Sequence, residues 1–381
     1  MKASQEANPG AALLRPGKAI GETSNPMLRL DGSYGEGGGQ VLRTALSLAV
    51  ALRRPVALTR VRVRRPKPGL QPQHLTVVKA LAAISDAAVS GDALGSTELT
   101  FIPRTLRAGR YRFDVAAVKG SAGSVSLLFQ ALLPPLALAP GPSQLTLLGG
   151  THVPWSPPFH YITAVFLPAL AVAGVRAQLN LCRWGWYPAG GGEVEGTITP
   201  TGEIRGFIPA PPPRSISGVS AVSRLPRSIA ERQRRRVIDR LAEAGVTADI
   251  SLEEDSTARG PGTLVFLSVP HHAGFSALGR RGLPAEQVAD IAVNAFLAYR
   301  ASGACIDEHL ADQLVPLLAL ARTESAFTCP VLSPHLQTVA WVVQQFLPVN
   351  ITLEHGSPPR VRIIPPPTQP GSGGRGQPGL G

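Results

Sequence analysis

One stretch near the N-terminal end, "DGSYGEGGGQVLR" (Asp31 to Arg43), sets five glycines around a single carboxylate, Glu36. It then runs straight into an apolar helical pattern. Glycines ahead of a helix let backbone N–H groups face an anion, and the helix dipole favours negative charge there. Glu36 would repel a phosphate at that point. A divalent cation between the two resolves the conflict; a tight turn with a solvated Glu is the alternative. The stretch is neither a Walker A loop nor a dinucleotide fingerprint with a downstream acid.

Two histidines sit at other helix starts. "DEHLADQLVPLLALA" spaces His309, Asp312 and Gln313 at i, i+3 and i+4, on one helix face. "SPHLQTVAWVVQQFLP" sets His335 behind Ser333 and Pro334 at a helix N-terminus. The dipole there disfavours imidazolium, and a neutral imidazole is a nucleophile or a general base. With eight histidines in the chain, composition does not choose among them. Gln130 interrupts an otherwise apolar helix, "SVSLLFQALLPPL", and must find a ligand or a carbonyl as partner. In "RVRVRRPKPGLQPQHL", Arg60, Arg62 and Arg64 alternate along an expected strand onto one face, with Arg65 and Lys67 beyond. Guanidiniums so placed suit phosphate, or blunt a solvated edge strand. "RWGWYPAGGGEVEG" (Arg183 to Gly196) reads by itself as a structural hairpin.

The elements that must hold these residues alternate between period 2 and period 3.6. Strands are expected over Val56 to Val63, "STELTFI", "SQLTLLG", "VRAQLNLC", "TADISLEE", "GTLVFLSV", "NITLEHG" and "RVRII". Helices are expected to begin at Gly39, His74, Ser124, Phe159, Ala230, Pro284, His309 and His335. This mixture is an α+β fold built of α/β layers. Strand–loop–helix units recur without a sequence repeat that proves duplication. The "PAPPPRS" break and the basic "ERQRRRVIDRLAEAG" segment mark an inserted α/β domain over 207–283. It divides a main domain into 27–206 and 284–364. Residues 1–26 read as a disordered leader, with Met27 as an alternative start, and 365–381 as a low-complexity tail.

A length of 381 residues allows a large core. The net charge of +12 points to a polyanion such as RNA, or to a coding bias towards Arg, Ala, Gly and Pro. Three scattered cysteines argue against a disulfide framework and a cysteine zinc site, and fit a reducing cytoplasm. No apolar run is long enough to span a membrane, and the N-terminus lacks a signal peptide's apolar core.

Taken together, "DGSYGEGGGQVLRTALSL", "KPGLQPQHL", "GSAGSVSLLFQALLPP", "RWGWYPAGGGEV", "DEHLADQL" and "SPHLQTVA" resemble the RNA 3′-terminal phosphate cyclase family, in the family's order, from about Leu28 to Ile364. The resemblance implies a large domain of three similar units, each a sheet backed by two helices, plus a small α/β insert. It implies ATP-dependent conversion of an RNA 3′-phosphate to a 2′,3′-cyclic phosphate through a histidine–AMP adduct. It assigns the nucleophile to His335. Gln130, Pro157, His309, Leu310, Ala311, Asp312 and Gln313 are implied to bind the nucleotide, with His309 and Pro157 on the adenine. Glu36 is implied to contact a divalent cation (Mg or Mn), with Asp312 a second candidate. Arg43, Arg62 and Arg65 are implied to bind triphosphate or the RNA 3′-phosphate. The partner is RNA; a homodimer is left open. The runner-up is a divergent cyclase-like protein that binds or processes rRNA without adenylylation, though such relatives lack the nucleophilic histidine. An enolpyruvyl transferase and a pure RNA-binding module rank below it.

Overall fold

The structure, a computed structural model, describes residues 26–117, 122–213 and 215–367. The expected leader and tail lie outside these residues except at Pro26 and at 365–367.

The chain folds as α+β layers around one sheet pattern used repeatedly. The first unit runs β1 (Leu28–Asp31), α1 (Gly39–Leu52), β2 (Val56–Thr59), α2 (Pro72–Ser85), β3 (Ala88–Ser90) and β4 (Leu99–Ile102). Its sheet has the order β1-β2-β4-β3, with β1 and β2 parallel and the remaining pairs antiparallel. The second unit contains β5 (Arg110–Asp114), α3 (Val125–Ala137), β6 (Ser143–Gly149), α4 (Phe159–Tyr161), a π-helical turn (Ile162–Phe166), α5 (Leu167–Val172), β7 (Arg176–Arg183) and β8 (Gly192–Thr199). The order recurs as β5-β6-β8-β7, again with only the first pair parallel.

The third unit repeats the order without its first strand. In chain order it comprises α8 (Glu308–Leu318), β13 (Ser325–Thr328), α9 (Pro334–Phe346), β14 (Asn350–Glu354) and β15 (Arg360–Ile364), and its sheet is β13-β15-β14. Residues Ile204 to Phe207 run where the missing strand would stand. The Ile204 carbonyl accepts from Arg322 N–H at 3.0 Å, and the Phe207 carbonyl from Ala326 N–H at 3.0 Å. Phe207 N–H donates to Ser325 Oγ at 3.0 Å.

Between that segment and α8 lie β9 (Ile216–Ser223), α6 (Arg227–Glu243), β10 (Ala248–Asp255), β11 (Gly262–Val269), β12 (Ala273–Leu278) and α7 (Ala285–Ser302), with sheet order β10-β9-β11-β12. They bury a second core, in which Val237, Leu241, Val265 and Leu267 meet Val288, Val293 and Phe296. The insert expected over 207–283 therefore stops short of α7, whose apolar face lies in this second core. The main core gathers α1, α2, α3, α8 and α9 against the three repeated sheets.

The expected strand from Val56 to Val63 ends at Thr59. Arg60 and Arg62 adopt left-handed φ of 51° and 56°, which breaks a strand. The alternation of Arg60, Arg62 and Arg64 onto one face is thereby overturned. The chain coils back so that Val61 N–H reaches the Thr97 carbonyl and Gly69 N–H the Val61 carbonyl.

Candidate active site

The Gly-rich loop lies along α9, matched residue by turn. Tyr34 stacks on Trp341, with centroids 3.9 Å apart and planes 12° from parallel. A Cβ on Gly35 would stand 2.2 Å from Thr338 Oγ1. Glu36 Oε2 lies 3.1 Å from His335 Nε2. Three successive loop residues thus meet positions 341, 338 and 335, one helical turn apart, because residues spaced by three share a helix face. Gly35 holds φ at +60°, cheap for glycine and costly for other residues.

The start of α9 is built locally. Ser333 Oγ accepts from Leu336 N–H at 3.1 Å, and Pro334 takes the first helical position. His335 follows, half-buried. Burial holds its pKa below the ordinary 6.5; Arg43, His309 and Arg65 push the same way and Glu36 opposes them. The imidazole is therefore predominantly neutral at pH 7.

Positive groups surround the mouth of α1. Gly38 caps this helix without a side-chain bond, leaving its first N–H groups without one. Arg65 Nη2 lies 3.5 Å from Glu36 Oε2, and a Cβ on Gly38 would stand 2.8 Å from the same Nη2. A Cβ on Gly39 would stand 2.4 Å from His74 Nε2 and 2.9 Å from Arg43 Nη1. Burial lowers the Arg43 pKa to about 10, so it stays charged, and Gln40 accepts from it at 2.6 Å. His74 is held neutral, pushed down to about 3 by burial and by Arg43 and Arg62, and its Nδ1 accepts from Gln71 N–H. Arg62 donates at 2.8 Å to the carbonyls of both Lys67 and Gly69, so part of its guanidinium is committed to its own loop.

α8 supplies the next wall. Gln130, half-buried within α3, finds its partner there: its Nε2 donates to Gln313 Oε1 at 2.7 Å. Asp312 is buried, and its carboxyl is pushed well above the ordinary range by desolvation, with Asp307 adding and Arg43 opposing. A small cavity of about 50 Å³ brings Asp312, Gln313, Gln130 and Arg43 together. A larger one, about 650 Å³, is lined by His335, His309, Asp312, Gln313 and Pro157. Leu310 and Ala311 are fully buried in the main core and line neither cavity.

Several residues of this site carry no chemical signature in the sequence. Asp307 caps α8: its Oδ1 accepts from His309 and Leu310 N–H, both at 2.8 Å. The same carboxylate accepts from Tyr161 O–H at 3.0 Å and from Gly274 N–H at 2.9 Å. It thereby ties α8 to the π-helical turn region and to the inserted unit. β12 and α7 close the larger cavity with Gly274, Phe275, Ser276 and Tyr299. Only the N-cap pattern Asp-x-x ahead of a helix could have flagged Asp307; the α7 face could not be told from core.

"RWGWYPAGGGEV" contributes to neither cavity. Trp184 and Trp186 pack around His152, with Trp184 stacked on it at 4.3 Å. Gly185 and Gly192 allow close backbone contacts that a Cβ would block: it would stand 2.4 Å from the Gly149 carbonyl oxygen at Gly185 and 2.8 Å from the Gly185 nitrogen at Gly192.

No group of three or more His, Cys, Asp or Glu side chains among the described residues forms a metal cage. Glu36 is the carboxylate at the loop mouth. One carboxylate with substrate phosphates and water is an ordinary Mg²⁺ environment, so Glu36 fits a cation that arrives with a nucleotide. No described helix is long and apolar enough to cross a membrane.

Comparison with known proteins bears on this arrangement. The family model described as RNA 3′-terminal phosphate cyclase matches residues 34–353. The RNA 3′-terminal phosphate cyclase of Methylococcus capsulatus (strain ATCC 33009 / NCIMB 11132 / Bath) is 49% identical over 333 residues, covering 84% of this chain and 91% of that one. That of Pyrobaculum neutrophilum is 42% identical over 337 residues, covering 87% and 96%. That of Nostoc punctiforme is 45% identical over 329 residues, covering 84% and 94%.

Proposed function

The chain belongs to the RNA 3′-terminal phosphate cyclase family, enzymes of the ligase type, and on that premise we propose that it uses ATP to close an RNA 3′-phosphate into a 2′,3′-cyclic phosphodiester, with His335 as nucleophile. The observation that carries the reading is the position of His335. It stands half-buried on the wall of the large cavity, 3.1 Å from Glu36 and in the field of Arg43 and Arg65.

Three displacements at phosphorus account for the reaction. A bare ring nitrogen of His335 attacks the α-phosphorus of ATP; an N–P bond forms, the bond to the β-phosphate oxygen breaks, and pyrophosphate leaves. An oxygen of the RNA 3′-phosphate then attacks the same phosphorus and releases His335. Finally the vicinal 2′-hydroxyl attacks the 3′-phosphorus, giving up its proton, and AMP leaves. Splitting the work in this way replaces a poor leaving group, oxide, by AMP. Pro157 and His309 would hold adenine between them. Asp312 and Gln313 would contact the nucleoside, with Gln130 orienting Gln313 through their mutual bond. Arg43, Arg65 and the free α1 amides would hold phosphate. Arg62 would act on that cluster chiefly by supporting the loop. A divalent cation on Glu36 would neutralise phosphate charge.

Incubation with α-labelled ATP and magnesium, followed by a denaturing gel, tests this. Wild-type protein should carry an acid-labile label that His335→Ala abolishes and His309→Ala retains at reduced yield. A label that survives His335→Ala would move the nucleophile elsewhere. No label on folded wild-type protein would favour a cyclase-like RNA-binding role.

A further inference from the structure

Trp155 stands at the rim of the large cavity in a conformation that folding alone does not account for. It is 92% exposed, more than any other large apolar side chain among the described residues. It belongs to neither core, and neither face of its indole meets another ring among the described residues. Its φ is +60°, in a turn "VPWS" whose Ser156 Oγ donates to the Val153 carbonyl at 3.2 Å. Glycine or asparagine would occupy that turn position without strain, and a bulky residue does not. Exposure and strain both oppose tryptophan here, and strained positions of this kind cluster at ligand sites.

The same side chain lines the cavity with Pro157, His309 and His335. A flat π-surface facing solvent beside a phosphate-handling centre suits a nucleobase, because bases stack on aromatic rings whatever their sequence. In the reading above, adenine is held by Pro157 and His309, and the second base that must come near His335 is the one next to the RNA 3′-phosphate. We propose that Trp155 is the stacking platform for the 3′-terminal nucleobase of the RNA. The proposal rests on the assignment of adenine to Pro157 and His309. It makes Trp155 an affinity residue for RNA ends of any sequence. Its role is to hold the terminal ribose still while adenylate is transferred and the 2′-hydroxyl attacks.

The test uses Trp155→Gly, which the turn accepts without strain, and Trp155→Phe. Two short RNAs are compared, both with a 2′-hydroxyl and a 3′-phosphate. One has an ordinary terminal base and the other an abasic terminal ribose. Cyclisation kinetics are measured with each, alongside the KM for ATP in self-adenylylation. Loss of one base stack is worth on the order of 5- to 150-fold in affinity. Trp155→Gly should raise the KM for the ordinary RNA within that range, with the Phe variant between. The abasic RNA should bring wild-type protein down to the level of Trp155→Gly, and that variant should not distinguish the two RNAs. An unchanged RNA KM overturns the proposal. So does a variant that still distinguishes the RNAs, and so does a rise in ATP KM as large as the rise in RNA KM, which would give the indole to adenine. Failure of the parent reading shows separately, as wild-type protein that forms no adduct. Fluorescence anisotropy of the two RNAs without ATP still reads the stack in that case: equal binding by wild type and Trp155→Gly overturns it.

Discussion

An imidazole attacks phosphorus only while one of its nitrogens is bare, so in the proposed reaction the protonation of His335 would govern the first step. Burial, Arg43, His309 and Arg65 hold its pKa below 6.5, and Glu36 opposes them. The sign follows directly. The reactive neutral form is full above the lowered pKa and is lost as pH falls through it. Adduct formation in a rapid-quench experiment should therefore be flat through neutrality and decline only below the ordinary imidazole range of about 6.5. Glu36→Gln removes the opposing carboxylate, so its acid limb should move to still lower pH, whatever happens to the plateau. A limb at or above 6.5 in wild-type protein would contradict the environment described for His335. Arg62 shows the limit of reading residues by type. It is cationic and near the site, yet two of its donor contacts are spent on the carbonyls of Lys67 and Gly69.

At the scale of elements, the geometry of the proposed catalytic pair would depend on how the Gly-rich loop lies on α9. The Tyr34–Trp341 stack, the Gly35–Thr338 approach and the Glu36–His335 contact form one seam. Gly35→Ala would force a Cβ to 2.2 Å from Thr338 Oγ1 at a φ of +60°. A strained backbone site of this kind costs about 1–3 kcal/mol. Urea unfolding should show a loss of that size, and adduct formation should slow as Glu36 moves off His335. Thr338→Ala in the same chain should recover part of the rate by removing the clash, leaving the φ strain. Trp341→Ala should cost about 0.5–1.5 kcal/mol for the lost ring pair beyond its buried area. Its adduct rate should fall without a change in the pH limb, since no charge is removed. Normal adduct formation by Gly35→Ala would mean that α9 does not set the loop.

Across the whole molecule, the charge of +12 does not locate the RNA. Three of the six arginines of the most basic helix, α6, are committed to α7. Arg232 pairs with Glu286 at 2.7 Å, Arg236 with Asp290 at 2.8 Å, and Arg240 with Asp290 at 2.6 Å. These three arginines, at i, i+4 and i+8, form a ladder within the inserted unit. Phosphate contacts announce themselves through salt dependence. Replacing Arg232, Arg236 and Arg240 together by alanine should leave the affinity for a 3′-phosphorylated RNA, and its salt slope, within about twofold of wild type. The melting temperature should fall. A slope reduced by about two would return these arginines to the RNA interface.

The sequence alone determined what local physics can express. The capped start of α9, the His–Asp–Gln spacing along α8, the glycines ahead of α1 and the Gln set in an apolar helix are all patterns within a dozen residues. They point to Glu36, Gln130, His309, Asp312, Gln313 and His335. The strands "SQLTLLG", "GTLVFLSV" and "RVRII" end where their turn residues end them. Tertiary structure decided the rest, because it depends on which distant surfaces bury one another. The left-handed turns at Arg60 and Arg62 override a well-formed alternation, and the chain there closes on the Thr97 carbonyl and on Gly69 instead of extending. α7 joins the second core although its sequence leads smoothly into α8. The seam between residues 34–36 and 335–341 joins segments three hundred residues apart, and no local pattern carries it. Asp307 and Trp155 differ from ordinary caps and surface aromatics only in what stands beside them.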